Sequence, residues 1–294
     1  MAGRIRKVVI PVAGLGTRGL PFTKEVPKEM IPIIDHPAIH YIVEEVIAAG
    51  IEEVIFVTSK GKSSLEDYFD PSPNLENWLR KRGKNELADR IHRIGRMCEV
   101  ISVRQKEPLG LGHAIHCARD IVGNESFAVC LGDEIFPPWG SNKEPALKTL
   151  VEWSSKLGVS TVGVMEVARE ETSSYGIVDV GGASLGEEPV RVKRTVEKPK
   201  PEDAPSRYAI IGRYVFEPAL FEELARTKPG VGGEIQLTDA MDRLAAQSRL
   251  TALPIRARRY DIGSHLSFIK ATIDAALERP ELAEKLRSYL KTFQ

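Results

Sequence analysis

Residues 7–13 read KVVIPVA, and residues 14–19, which follow directly, read GLGTRG. An unbroken β-branched run with no polar alternation is what a strand covered on both faces looks like, because neither side meets water. The glycine cluster formally satisfies G-x-G-x-x-G, the dinucleotide-binding fingerprint. Pro21, Pro27 and Pro32 exclude that reading, since the fingerprint needs a helix opening at the glycines and none runs undistorted through three prolines. Asp35 lies at the distance expected for a ribose-binding acid, yet it sits in IPIIDHPAIH ahead of a new helix, so it is read as an N-cap or turn residue. What remains is a long proline-stiffened loop whose backbone N–H groups, assisted by Arg18 and Lys28, can wrap a polyphosphate. On spacing alone a structural turn with solvated charges stays open beside it.

Outward from this stretch, β-branched runs alternate with amphipathic segments: HYIVEEVIAAG, EEVIFVTS, a long polar-apolar segment from Leu75 to Ile94, then CEVISVRQ. HAIHCARDIV reads as a helix and FAVCLGDEIF as a strand ending in acids. Such alternation predicts a three-layer α/β/α wound sheet. From Val159 to Val215 the strands crowd together, as VSTVGVMEV, YGIVDV, RVKRTVEK and YAIIGRYVF, so a mixed or antiparallel section is expected inside the wound sheet. The helix EIQLTDAMDRLAAQ, the strand LTALPI and two helices beginning near Ser264 and Pro280 complete the chain.

At 294 residues the chain suits one enzyme-sized domain. Lys plus Arg and Asp plus Glu both number 41, which leaves no global field to gather nucleic acid or an anionic membrane. Any phosphate site must therefore be local. Cys98, Cys117 and Cys130 are far apart and sit in apolar stretches, so free buried thiols are expected. The opening MAGRIRKVVIPVAG has too short an apolar run for a signal peptide, and a cytoplasmic protein is the expectation.

The stretch AGLGTRGLPFTKEVPKEMIPIIDHPAIHYIVEE, residues 13–45, closely resembles the signature of the bacterial UTP–glucose-1-phosphate uridylyltransferases. QKEPLGLGHAI, LGDEIF, SSYGIV, VEKPKPEDAPS, YAIIGRYVF, GGEIQLTDA and YDIGSHLSFIKA resemble the same family in the same order across nearly the whole chain. The resemblance implies a Rossmann-like nucleotide-diphospho-sugar transferase fold in one domain. Its nucleotide half would span about 1–135, its sugar-phosphate half about 159–265, and C-terminal helices about 266–294. It implies UTP and glucose 1-phosphate as substrates, UDP-glucose and pyrophosphate as products, magnesium as cofactor, and a homodimer or homotetramer. By the same resemblance Asp133 and Asp261 would hold the metal, Glu197 the sugar hydroxyls and Lys198 the sugar phosphate.

The residues suit that chemistry. A phosphate monoester has its second pKa near 6, so the attacking oxygen is already ionised at neutral pH and no general base is required. Positioning, cations and metal are needed instead. Arg18, Lys28 and Lys198 supply cationic groups, and Asp133, after a strand and a glycine, is placed where a wound sheet presents ligands. Two carboxylates with phosphate oxygens and water suit magnesium. Gly176 lets a sugar lie close to the backbone. Gln105 and Gly110, with backbone at Ala13, Gly14 and Gly16, are the candidates for holding the nucleotide; a glutamine amide can pair with the O4/N3–H edge of uracil and equally of thymine.

His113 and His116 lack the i, i+4 spacing of a metal pair and are read as packing or polar-face residues. Gly19 stands where the family commonly has a bulky aromatic and is expected to loosen the loop; Glu25 stands where it has a small residue and is expected to repel an anionic substrate. A thymidylyltransferase and a non-catalytic regulatory relative stay open as alternatives, the second disfavoured by the intact charged set.

Overall fold

The computed structural model describes residues 4–140 and 144–293. Its first half carries strands β1 (Lys7–Pro11), β2 (Pro32–Ile33), β3 (His36–Pro37), β4 (Glu53–Thr58), β5 (Glu99–Arg104), β6 (Phe127–Cys130) and β7 (Glu134–Ile135). The second half carries β8 (Ser160–Glu166), β9 (Gly176–Asp179), β10 (Val190–Arg191), β11 (Arg194–Glu197), β12 (Tyr208–Phe216), β13 (Leu250–Pro254) and β14 (Tyr260–Asp261). The main sheet runs β10-β13-β8-β12-β6-β1-β4-β5, with β9 joining β12 to β11. β1 is parallel to β4 and β6, whereas β12 is antiparallel to both β6 and β8. The sheet is thus mixed, as the crowded strands of residues 159–215 predict.

Two cores lie on opposite faces of this sheet, and the strands feed them in strict alternation. Val8 and Ile10 of β1 enter one core with Val54, Phe56, Ala128 and Cys130; Val9 enters the other with Ile55, Val57, Phe127 and Val129. Helices Ala38–Ala48, Ala146–Leu157 and His265–Leu277 cover the first face through residues such as Ile42, Leu150 and Ala271. Helices Leu111–His116, Ala219–Arg226 and Leu237–Ala246 cover the second through Ile115, Leu224 and Met241. Burying each such large aliphatic side chain contributes about 1.5–3 kcal/mol, so β1 is fixed by both layers.

One charged pair sits inside the first core. The fully buried Arg213 of β12 donates to Glu45 of helix Ala38–Ala48 through Nη2 at 2.8 Å and Nε at 3.2 Å. Its Nη2 also reaches the Glu134 carbonyl at 2.9 Å, and Glu45 accepts the Leu147 N–H at 2.9 Å. This pair ties two helices and β7 to the sheet.

Some local expectations shift. The segment from Leu75 to Ile94 is two helices, Pro73–Lys81 and Asn85–Ile94, parted near Gly83, which takes φ +72. HAIHCARDIV likewise divides into Leu111–His116 and Arg119–Val122. Asp35 lies in the turn between β2 and β3, and Pro37 holds the N-cap position, so the turn alternative is the correct one. The three cysteines are free, but only Cys130 is fully buried; Cys98 and Cys117 are half-buried. Among the described residues no helix is long and apolar enough to cross a membrane.

Candidate active site

From β1 the chain moves outward through β4 and β5, then returns to lay β6 on the other side of β1. The loops leaving β1 and β6 therefore part at a topological switch point, where wound sheets open a crevice at their strand ends. The loop after β1 is the glycine stretch. Three short 3-10 turns, Thr17–Gly19, Phe22–Lys24 and Lys28–Met30, replace the helix that the prolines forbid. Gly16 takes φ +65, and its carbonyl accepts the Thr23 hydroxyl at 2.7 Å. At Gly19 a Cβ would stand 2.7 Å from Thr23 Cγ2, so the missing side chain lets the turn close on Thr23. Glu25 is exposed, with Lys24 Nζ 3.9 Å from its carboxylate.

The loop after β6 brings Asp133. Gly132 allows it, since a Cβ would press on Val12 Cγ1 at 2.9 Å and Glu29 Cγ at 3.0 Å. Asp261 arrives from far along the chain because β14 pairs with β7, setting Asp261 opposite Glu134, while Ile262 N–H donates to the Asp133 carbonyl at 2.8 Å. Arg18 Nη2 then lies 3.3 Å from Asp133 Oδ2 and 3.4 Å from Asp261 Oδ1, and Nη1 lies 2.8 Å from Asp261 Oδ2. Lys28 Nζ meets Asp133 Oδ2 at 2.6 Å. Burial drives the Asp133 carboxyl upward, but Lys28 and then Arg18 more than offset it and hold its pKa below the usual carboxylate range. For Lys28, burial is likewise outweighed by Asp133, so its pKa is raised. Two carboxylates converging on one guanidinium nitrogen offer hard oxygen donors to a common point, which fits magnesium when phosphate and water complete the shell. Among the described residues no group of three or more His, Cys, Asp or Glu has metal-holding geometry.

Ala13, Gly14, Gly16, Lys28, Gln105, Gly110 and Asp133 line one cleft of about 400 Å³. Gly110 takes φ +93, and a Cβ there would meet Glu234 Cβ at 2.7 Å, so a glycine is required where the 234–235 segment docks. Gln105 donates to the Gly110 carbonyl at 3.1 Å and faces His113 Nδ1 at 3.0 Å. Of the two readings offered for His113, packing or polar face, the contact with Gln105 favours the polar one.

Gly176, Glu197 and Lys198 form a second group. β9 and β11 pair Gly176 with Glu197, and a Cβ on Gly176 would lie 3.3 Å from Glu197 Oε2. Lys198 takes φ +44 and is exposed, with Nζ 3.1 Å from Glu197 Oε1. Its N–H donates to the Tyr175 carbonyl at 3.0 Å, and the Tyr175 hydroxyl stands 3.4 Å from Arg259, whose Nε is 2.9 Å from Glu134 Oε2. Tyr175 and Arg259 thus bridge this group to the acids. Burial, with Asp133 adding to it and Arg259 opposing it, pushes the Glu134 carboxyl up to about 7.

Several contributors escape a reading of the sequence. Glu29 is fully buried and pairs with Lys62 at 3.1 Å, while Lys62 also donates to the Val12 carbonyl, pinning the loop from beneath. Gly263 leaves room for Arg18, whose Nη2 a Cβ would approach to 2.5 Å. Thr238 donates to Glu197 Oε2 at 3.1 Å. The one signal for Glu29 is its position beside Lys28 in VPKEMIP.

A family model described as nucleotidyl transferase matches residues 7–278. A UTP–glucose-1-phosphate uridylyltransferase of Bacillus subtilis (strain 168) is 46% identical over 290 residues, covering 98% of this chain and 97% of the relative. A solved structure of UTP-bound UGPase from Acinetobacter baumannii superposes with TM-score 0.90 at 38% identity, covering 99% of this chain and 100% of that one. A UDP-glucose pyrophosphorylase complexed with UDP-glucose superposes with TM-score 0.82 at 43% identity, covering 94% of this chain and 100% of that one.

Proposed function

The chain belongs to the nucleotidyl transferase family, among the bacterial UTP–glucose-1-phosphate uridylyltransferases, and on that footing we propose how it makes UDP-glucose. A phosphate oxygen of glucose 1-phosphate attacks the α-phosphorus of UTP in line. The bond from that phosphorus to the bridging oxygen breaks, and pyrophosphate leaves with the electron pair. The observation that carries this reading is the meeting of Arg18 and Lys28, from the glycine loop, with Asp133 and Asp261, two of the four, Lys28 and Asp133, lining the cleft.

Arg18 and Lys28 neutralise the triphosphate as charge moves onto pyrophosphate. Ala13, Gly14, Gly16 and Gly110 hold the nucleotide through backbone, and Gln105 reads the uracil edge. Lys198 faces the sugar phosphate, Glu197 takes the sugar hydroxyls, and Gly176 gives the sugar access to the backbone. Asp133 and Asp261 would hold magnesium, which when bound draws charge from the phosphate oxygens. The family membership also supports a cytoplasmic homodimer or homotetramer.

Pyrophosphate release measured over a panel of triphosphates with glucose 1-phosphate tests the reaction. UTP is expected to be the best donor, TTP weaker by what one extra methyl costs in the site, and ATP and GTP poorer still, because a purine ring leaves buried polar groups unpaired. A preference for TTP, or no release with any donor, would overturn it.

A further inference from the structure

The terminal Nε2 of Gln105 lies 3.1 Å from the Gly110 carbonyl and 3.0 Å from His113 Nδ1. A carbonyl oxygen only accepts, so the group facing Gly110 is the NH2. Its second hydrogen then points to His113, whose Nδ1 must be the unprotonated acceptor, with the ring proton on Nε2 at 3.9 Å from Cys117 Sγ. Both acceptors are held rigidly: Gly110 packs against residues 234–235, and Gly112, at the start of the helix bearing His113, donates to the Ile235 carbonyl at 2.9 Å. With both amide hydrogens committed to these partners, Oε1 is what the side chain leaves to the cleft that Gln105 lines.

We infer that His113 is a positioning residue that locks the Gln105 amide with its oxygen toward the base, and so selects uridine over cytidine nucleotides. The inference rests on the uracil-reading role proposed for Gln105. Uracil carries a hydrogen on N3 and satisfies an amide oxygen. Cytosine has a lone pair there and repels it. Without His113 the amide pivots on the single Gly110 bond, and the NH2 can turn toward cytosine.

The test is kcat/KM for UTP and for CTP, with glucose 1-phosphate, in the wild type, His113→Ala, His113→Asn and Gln105→Ala. The UTP-to-CTP ratio is taken within one preparation, so any misfolded fraction cancels. His113→Ala is expected to lower the ratio about tenfold or more. His113→Asn is expected to keep it, because Asn Oδ1 stands where Nδ1 stood and accepts the same hydrogen. An unchanged ratio in His113→Ala overturns the positioning role. A ratio lost equally in His113→Asn also overturns it, by making the ring rather than the acceptor the operative feature. Gln105→Ala separates the two levels: an unchanged ratio there removes uracil reading itself, whereas a collapsed ratio beside an unaffected His113→Ala removes only His113.

Discussion

Lys28 and Lys198 are both proposed to meet phosphate, and their different surroundings suit them to different work. Lys28 is largely enclosed and bound to Asp133, while Lys198 is exposed beside Glu197 on the far side of Tyr175 and Arg259. Lys198→Ala is therefore expected to raise the KM for glucose 1-phosphate about tenfold or more, the cost of one charge-assisted bond, and to leave that for UTP nearly unchanged. Steady-state kinetics with each substrate varied in turn checks it, and equal changes in both constants would remove the division of roles. At this scale the sequence was informative where chemistry is local. Glu197 and Lys198 adjoin in VEKP, and Arg18 and Lys28 share one loop. It did not show the contact of His113 with Gln105, because that partner lies eight positions upstream across a glycine turn and matches no periodic spacing.

Among the elements, those with long apolar runs were legible because burial on two faces leaves its mark on every residue of a strand. β7 and β14 were not, since two-residue strands have no period to read, and yet their ladder is what brings Asp133 and Asp261 together. The Arg213–Glu45 pair was equally hidden, because no local spacing joins the arginine of YAIIGRYVF to a glutamate 168 positions away, and yet Arg213 is fully buried under helix Ala38–Ala48. Glu45→Ala strands that guanidinium in the core and is expected to lower the unfolding free energy by about 3–5 kcal/mol. Replacing both partners, as Glu45→Leu with Arg213→Met, is expected to cost less than Glu45→Ala alone. Urea unfolding of the three proteins decides the matter, and a loss below about 1 kcal/mol in Glu45→Ala would show the pair to be dispensable.

Across the whole molecule, alternation of strands and helices conveyed the wound fold, but strand order was not readable, because neighbours such as β13 and β8 meet only after the chain doubles back. One residue joins distant parts in a way that pH should expose. Asp35, in the turn between β2 and β3, binds Arg279 between the last two long helices, Arg90 at 2.8 Å and His36 at 2.9 Å. Arg279 foremost, with Arg90 and His36, holds its carboxyl well below the ordinary 3.8. A depressed folded-state pKa gives stability that is present above the unfolded value and lost as pH falls through the folded one. Asp35→Asn is therefore expected to lower Tm at pH 7 and to differ progressively less from wild type as pH falls below about 4. Because the carboxylate is partly exposed, screening limits the effect to about 1 kcal/mol, on the order of 2 °C. A Tm difference that stays constant from pH 7 to pH 3 would separate Asp35 from the linkage.

Under the roles proposed above, the clasp of Arg18 and Lys28 on Asp133 and Asp261 would make ligand entry an exchange rather than an addition. The carboxylates would release their tethered cations only as those cations gained phosphate oxygens, and a free cation that took up the vacated carboxylates would help the nucleotide by the same factor as the nucleotide helped it. Two positive and two negative side chains cancel before the exchange, so the protein keeps a polyphosphate site without advertising a positive field to every other anion in solution.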